Sequence, residues 1–223
     1  MAADEISFQE GRTVLVTGGT VRLGKAIADS LRDAGWRVVV SSHRPEAGAD
    51  VVADLSSPGG AAKLFSACLD LLGGRPPDAL VNNAALFAGS AAEIDAVNNV
   101  SPHKLTVLMA GRETGRGAVV NILDCLVLAP AEFTDGNAYA KSKRDLASAT
   151  VRDAAMFADT LRVNAVAPGP VLAPDGVHVK GGETPLGRPR PEDVASAVAS
   201  LLGATATTGC ILPVDGGQSA VSV

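Results

Sequence analysis

The chain is poor in the residues from which many small functional sites are built. Its 223 residues include only three cysteines, three histidines, one tryptophan and one tyrosine. Cys68, Cys125 and Cys210 are odd in number and widely spaced, with no Cys-x-x-Cys pair. Neither a disulfide framework nor a zinc site is indicated, no metal is expected, and a reducing cytoplasm suits such a chain. The longest apolar run, 118–131, is interrupted by Asn121 and Asp124. It falls short of the ~18 residues that a membrane span needs, so no membrane association is expected. The opening residues carry acid where a secretory signal needs base. Positive charge is scarce too: 19 Lys and Arg against 24 Asp and Glu leave a net charge of −5, and the bases cluster only at Lys141, Lys143 and Arg144. A general grip on nucleic-acid phosphates is therefore not expected.

What the chain does have is alternation. Short Val/Leu/Ile runs at 12–17, 36–42, 49–53, 78–82, 117–123, 160–166 and 210–214 are separated by longer segments of helical period. Leu23, Ile27, Leu31 and Ala34 mark the first helix, with Gly35 as its stop, and 58–72, 92–110, 136–157 and 191–202 supply four more. Strands alternating with helices predict a single α/β domain, a doubly wound seven-stranded parallel sheet with helices on both faces. Residues 1–11 read as an N-terminal extension and 12–219 as the domain. The Pro- and Gly-rich stretch 167–190 lacks a period, and about 170–190 is a candidate lid loop.

The first strand runs into Thr17-Gly18-Gly19-Thr20-Val21-Arg22-Leu23-Gly24, directly before the first helix. Glycines let a backbone approach a pyrophosphate, and a helix N-terminus adds unpaired N–H donors. Arg22 stands where the middle glycine of the usual dinucleotide fingerprint falls. An acidic residue closing the second strand would bind the ribose 2′-hydroxyl of NAD, and none is present. The strand ends in Ser42-His43-Arg44 instead, hydroxyl and cation suited to a 2′-phosphate, which favours NADP. Tyr139, the single tyrosine, and Lys143 lie four residues apart on one face of a predicted helix. An ammonium one turn away is what a phenol needs if it is to exchange protons near neutrality.

Taken together, the Gly-rich turn, Asp54-Leu55, Asn82-Asn83-Ala84, Tyr139-x-x-x-Lys143, Pro168-Gly169 and Val214-Asp215-Gly216-Gly217 resemble the short-chain dehydrogenase/reductase family from residue 12 to about 219. The resemblance implies a tetramer-prone Rossmann reductase. In it Tyr139 exchanges a proton, Lys143 holds the nicotinamide ribose, and Asn98 matches the asparagine that supports a proton-relay water. It further implies that Gly18, Thr20, Arg22, Leu23, Gly24, Ser42, His43, Arg44, Asp54, Leu55, Asn83, Ala84, Tyr139, Lys143, Pro168 and Gly169 line the cofactor.

The departures carry the substrate expectation. Most members of the family end strand five with a serine that hydrogen-bonds a substrate carbonyl, whereas this chain has Asp124, set further from Tyr139 than is usual. A carboxylate repels the oxyanion formed when a ketone is reduced, and it suits a substrate that donates N–H groups and takes a proton on nitrogen. Asp124, the Arg22 turn and Phe87, placed to stack a flat ring, together look like the pteridine reductases of the family. That likeness implies NADPH-dependent reduction of a pterin C=N bond, with Arg22, Phe87, Asp124 and Tyr139 around the substrate. Two other readings stay open: a carbonyl reductase, in which protonated Asp124 or the Cys125 thiol replaces serine, and a silent NADP-binding sensor.

Overall fold

The computed structural model describes residues 11–112, 115–128, 136–171 and 184–221. Seven strands form one sheet: β1 (Thr13–Thr17), β2 (Arg37–Ser42), β3 (Val51–Val52), β4 (Ala79–Asn82), β5 (Gly117–Ile122), β6 (Leu161–Pro168) and β7 (Ile211–Val214). All pairings are parallel, in the order β3-β2-β1-β4-β5-β6-β7. Strand order reverses between β1 and β4, and in open parallel sheets that switch point opens a ligand crevice at the carboxyl ends of the strands. The turn after β1 and the segment after β4 both emerge there.

Parallel strands covered on both faces are apolar almost throughout, and the side chains alternate between two cores. Val14, Val16, Val40, Val81 and Val120 pack with Ile27 and Leu31 of α1 (Arg22–Asp33) and with Val198 and Leu202 of α6 (Pro191–Gly203). Leu15, Val39, Leu80 and Val119 face the other way, onto Leu64 of α2 (Gly60–Leu71) and Leu105 and Met109 of α4 (Ser101–Ala110). A smaller cluster of Leu123, Ala165 and Ala167 seats Leu146 and Ala149 of α5 (Ala138–Met156). That contact sets α5 against the end of β5, the strand that leads into Asp124.

The expected elements are present with three differences. The single helix expected over 92–110 is interrupted: α3 (Ala91–Asp95) runs into a π-helical turn, Ala96–Val100, before α4. Pro102 is the physical reason, since it has no N–H to give the carbonyl of Asn98 four residues earlier, and the helix widens around the missing bond. The strand expected at 49–53 is only two residues long. A short α7 (Gln218–Val221) follows β7, its first turn capped by Asp215, which accepts from the Ser219 N–H at 2.8 Å. The candidate lid falls largely on 172–183, and the N-terminal extension on 1–10, both outside the described residues. Among the described residues no helix is long and apolar enough to cross a membrane, and no group of His, Cys, Asp and Glu is arranged to hold a metal.

Candidate active site

The turn between β1 and α1 is tightly built. Gly18 is left-handed (φ +63°), and a Cβ there would meet the Ala84 Cα at 3.1 Å. A Cβ on Gly24 would lie 2.1 Å from the Gly18 carbonyl oxygen and 2.5 Å from Asn83 Nδ2. Arg22 has φ +51°, the one described non-glycine residue with positive φ. The turn thus holds a non-glycine residue in the left-handed region at a cost of about 1 kcal/mol. Thr17 ties this turn to the segment after β4: its Oγ1 accepts from the N–H groups of Asn83 and Ala84 at 2.9 and 3.0 Å. Asn83 Nδ2 donates back to the carbonyls of Thr17 and Gly18 at 2.9 and 3.1 Å. No side chain of Val21 caps the N-terminus of α1, and the positive end of the helix dipole there suits an anion. A dinucleotide's pyrophosphate fits this cradle. Gly24→Ala should destabilise the fold by about 2 kcal/mol and weaken NADP binding at least tenfold, as read by thermal melting and nucleotide titration.

The residues expected at the adenosine end lie along one edge. Ser42 is buried and its hydroxyl accepts from the Arg44 N–H at 3.0 Å, while His43 and Arg44 are exposed. Asp54 accepts from the Ser56 hydroxyl and N–H at 2.7 and 2.9 Å. Those bonds, together with the charge of His43, hold its carboxyl below the ordinary range despite some burial. Leu55 is buried, and its carbonyl accepts from Ser101 Oγ at 2.7 Å. On the opposite side Pro168-Gly169 packs on the end of β7, where a Cβ on Gly169 would meet the Asp215 Cα at 2.8 Å.

Tyr139 sits in the first turn of α5, which Asn137 caps by accepting from the Ala140 N–H at 3.1 Å. Its Oη donates to Asp124 Oδ2 at 3.0 Å. Asp124 Oδ1 accepts from the Leu126 N–H at 3.0 Å, so one carboxylate both caps the turn after β5 and receives the phenol. Burial and then the Asp124 carboxylate push the Tyr139 phenol well above its ordinary pKa. Lys143 is buried, 2% exposed, and its Nζ donates to the Ile122 carbonyl at 2.8 Å while lying 5.8 Å from the centre of the Tyr139 ring. Burial draws its pKa down to about 8, against the opposing pull of Asp124. Cys125 is buried beside them, its thiol pushed up to about 12 by burial and by the charges of Asp124 and Asp215.

Two of the expected residues make contacts that the sequence did not indicate. The side chain of Asn98, wholly buried in the π turn, grips the backbone of Leu86. Oδ1 accepts its N–H at 2.7 Å and Nδ2 donates to its carbonyl at 2.9 Å. Nδ2 also reaches Ser142 Oγ at 3.0 Å, and Ser142 in turn donates to the Tyr139 carbonyl at 2.7 Å. Phe87, next in the gripped segment, lies on the Tyr139 ring with centroids 4.6 Å apart and planes 26° from parallel, yet is 70% exposed. Thr17 and Ser142 escaped the sequence reading. The available signals were a lone hydroxyl closing an apolar strand and a serine between Tyr139 and Lys143.

The family model described as enoyl-(acyl carrier protein) reductase matches residues 22–219. The chain belongs to the short-chain dehydrogenase/reductase family. Among curated members, a Streptomyces violaceoruber protein named as ketoacyl reductase 2 of the granaticin polyketide synthase is 34% identical over 248 residues, covering 93% of this chain and 96% of that one. Among solved structures, FolM alternative dihydrofolate reductase 1 from Brucella canis, complexed with NADP, superposes with a TM-score of 0.81 at 30% identity, covering 94% of this chain and 95% of that one. The Pseudomonas aeruginosa RhlG/NADP complex gives 0.83 at 29% identity, with 96% and 98% covered. The short-chain reductase fold thus spans almost the whole of both chains in each comparison, and this chain is an oxidoreductase of that family.

Proposed function

We propose that this protein is an NADPH-dependent reductase of a pterin C=N bond, taking a dihydropteridine or a dihydrofolate to its tetrahydro form. The observation that carries the reading is the 3.0 Å hydrogen bond from Tyr139 to Asp124. NADPH, when bound, supplies the hydride. The β1–α1 turn, with Thr20, Leu23 and Gly24, receives the pyrophosphate. Ser42, His43 and Arg44 receive the 2′-phosphate, while Asp54, Leu55, Asn83, Ala84, Pro168 and Gly169 line the remaining length, and Lys143 holds the ribose.

At the reacting end the charge resides on Asp124. A C=N nitrogen that takes a proton becomes cationic, and an adjacent carboxylate stabilises that cation while accepting hydrogen bonds from neighbouring N–H groups. The one proton of the Tyr139–Asp124 pair would pass to nitrogen as the carbon takes a hydride, the C=N π electrons would settle on nitrogen to give a neutral amine, and solvent would return a proton to the pair. A ketone would instead build an oxyanion against the same carboxylate. Arg22 is the substrate contact expected from the turn, and the exposed face of Phe87 offers a stacking surface to a flat heterocycle. The name of the Brucella neighbour as a dihydrofolate reductase agrees with this reading.

A carbonyl reductase is the second reading, favoured by the relative named as a ketoacyl reductase. The test is NADPH consumption with dihydrofolate, dihydrobiopterin and simple ketones side by side. Turnover of a dihydropterin at least tenfold faster than any ketone is expected, and ketone turnover without pterin turnover would sink the assignment. We also expect a homotetramer by light scattering, since Val107 and Leu108 on α4 and Val151 and Met156 on α5 are large apolar side chains left exposed in the single chain.

A further inference from the structure

We infer that the site also reduces ready-made cyclic iminium ions, flat bicyclic cations whose C=N nitrogen carries an alkyl group and takes no proton. This activity rests on the reading of Asp124 and Tyr139 as the reacting end, and it widens the substrate class from a neutral C=N bond to a charged one.

A carboxylate beside an exposed aromatic face is a combination that recognises organic cations. Phe87 is 70% exposed and stacks on Tyr139 with ring centroids 4.6 Å apart, and the Tyr139 hydroxyl meets Asp124 Oδ2 at 3.0 Å. Aromatic faces and carboxylate are thus successive members of one chain of contacts at the carboxyl end of β5. An ionised carboxylate has about four acceptor sites. The Tyr139 hydroxyl and the Leu126 N–H occupy one each. Lys143 is 2% exposed and donates to the Ile122 carbonyl at 2.8 Å, whereas Asp124 is only partly buried. Of these two charges the negative one is open to a ligand. Asp215, 5% exposed, adds a second negative charge near Cys125.

For such an ion the step balances without a proton. Carbon takes the hydride pair that NADPH supplies, the C=N π pair becomes the nitrogen lone pair, and the products are a neutral tertiary amine and oxidised nicotinamide. The positive charge is greatest before hydride arrives and fades on the way to the amine. Asp124 therefore contributes to binding the ion and not to the hydride step. With a dihydropterin, whose cation forms only during the reaction, the same carboxylate acts on turnover.

The probe is the N-methyl-dihydroisoquinolinium ion, with tetralone as a neutral molecule of similar bicyclic shape. Isothermal titration of the protein without nucleotide should show the ion bound at least tenfold more tightly than tetralone, and Asp124→Asn should remove the difference. With NADPH, kcat/KM for the ion should exceed that for tetralone at least tenfold. Asp124→Asn should act on KM for the ion, raising it at least tenfold, and on kcat for a dihydropterin, a split that loss of structure would not produce. Binding of the ion no tighter than that of tetralone would overturn the inference, as would a KM that Asp124→Asn leaves unmoved. Failure to reduce the ion would also overturn it, with the pterin reading intact if a dihydropterin is turned over. Reduction of the ion without dihydropterin turnover would uphold the inference and remove the pterin.

Discussion

Asp124→Asn is expected to lower dihydropterin turnover at pH 7 by about a thousandfold while shifting the melting temperature by no more than about 2 °C. The amide keeps the size of the carboxylate, and with its –NH2 in place of Oδ2 it donates to Tyr139 Oη across the 3.0 Å now spanned. What it removes is charge. A cationic C=N nitrogen loses its partner, and no carboxyl group remains to pass a proton to it. Two charges about 4 Å apart at an effective dielectric near 20 interact by about 4 kcal/mol, which corresponds to roughly a thousandfold in rate. The cap on the following turn survives, because the amide oxygen takes the place of Oδ1 and accepts from the Leu126 N–H, at 3.0 Å in the wild type. Steady-state kinetics with a dihydropterin beside a melting curve make the check. A large fall in stability with little change in turnover would move Asp124 from the chemistry to the scaffold.

Lys143→Met carries the second large effect, with turnover expected to fall at least a hundredfold and the pH dependence of stability to change sign-specifically. In the folded chain burial draws the pKa of the ammonium down to about 8, below its ordinary 10.5. Between those two values the unfolded chain binds more protons than the folded one, so stability rises with pH. Below pH 8 the folded protein carries the full cost of a buried ammonium, and above 10.5 that cost is gone. Relative to Lys143→Met, the wild type should therefore gain about 1.4 kcal/mol per pH unit across this window, close to 3 kcal/mol in all. Contributions of the buried cysteines cancel in the comparison, because both proteins contain them. Urea unfolding of the two proteins at pH 7, 8, 9 and 10 measures the difference, and parallel stability curves would show that Lys143 is not buried as an ion.

The candidate site depends on a few ties between segments distant in sequence. Asn98 and Ser142 link the segment carrying Phe87 to the helix carrying Tyr139, and Thr17 with Asn83 links the two turns at the switch point. A second ladder lies beneath: Asn82 Nδ2 donates to Asn121 Oδ1 at 2.8 Å, and Asn121 Nδ2 to Thr150 Oγ1 at 2.9 Å, all three side chains buried. These polar bonds across the apolar sheet fix the register of β4, β5 and α5, so that Asp124 and Tyr139 arrive at one point.

The sequence by itself determined the architecture. Alternating apolar runs and helical periods specify seven parallel strands and the helices covering them, because local period and burial are properties of short segments. It also determined the family, since the Gly-rich turn, Asn82-Asn83-Ala84 and Tyr139-x-x-x-Lys143 occupy the required places in that order. The π turn was legible in principle, because a proline inside a helical pattern removes a bond that can be named in advance. Contact between side chains far apart in the chain was decided only by tertiary structure. Period and motif put Tyr139 and Lys143 on one face, yet Lys143 donates to the Ile122 carbonyl and the phenol to Asp124. Phe87 was read as a surface for the substrate, and in the single chain it stacks on Tyr139, because Asn98 holds the preceding residue in place. Such pairings follow from hydrogen-bond geometry and burial where three segments converge, which no local pattern encodes.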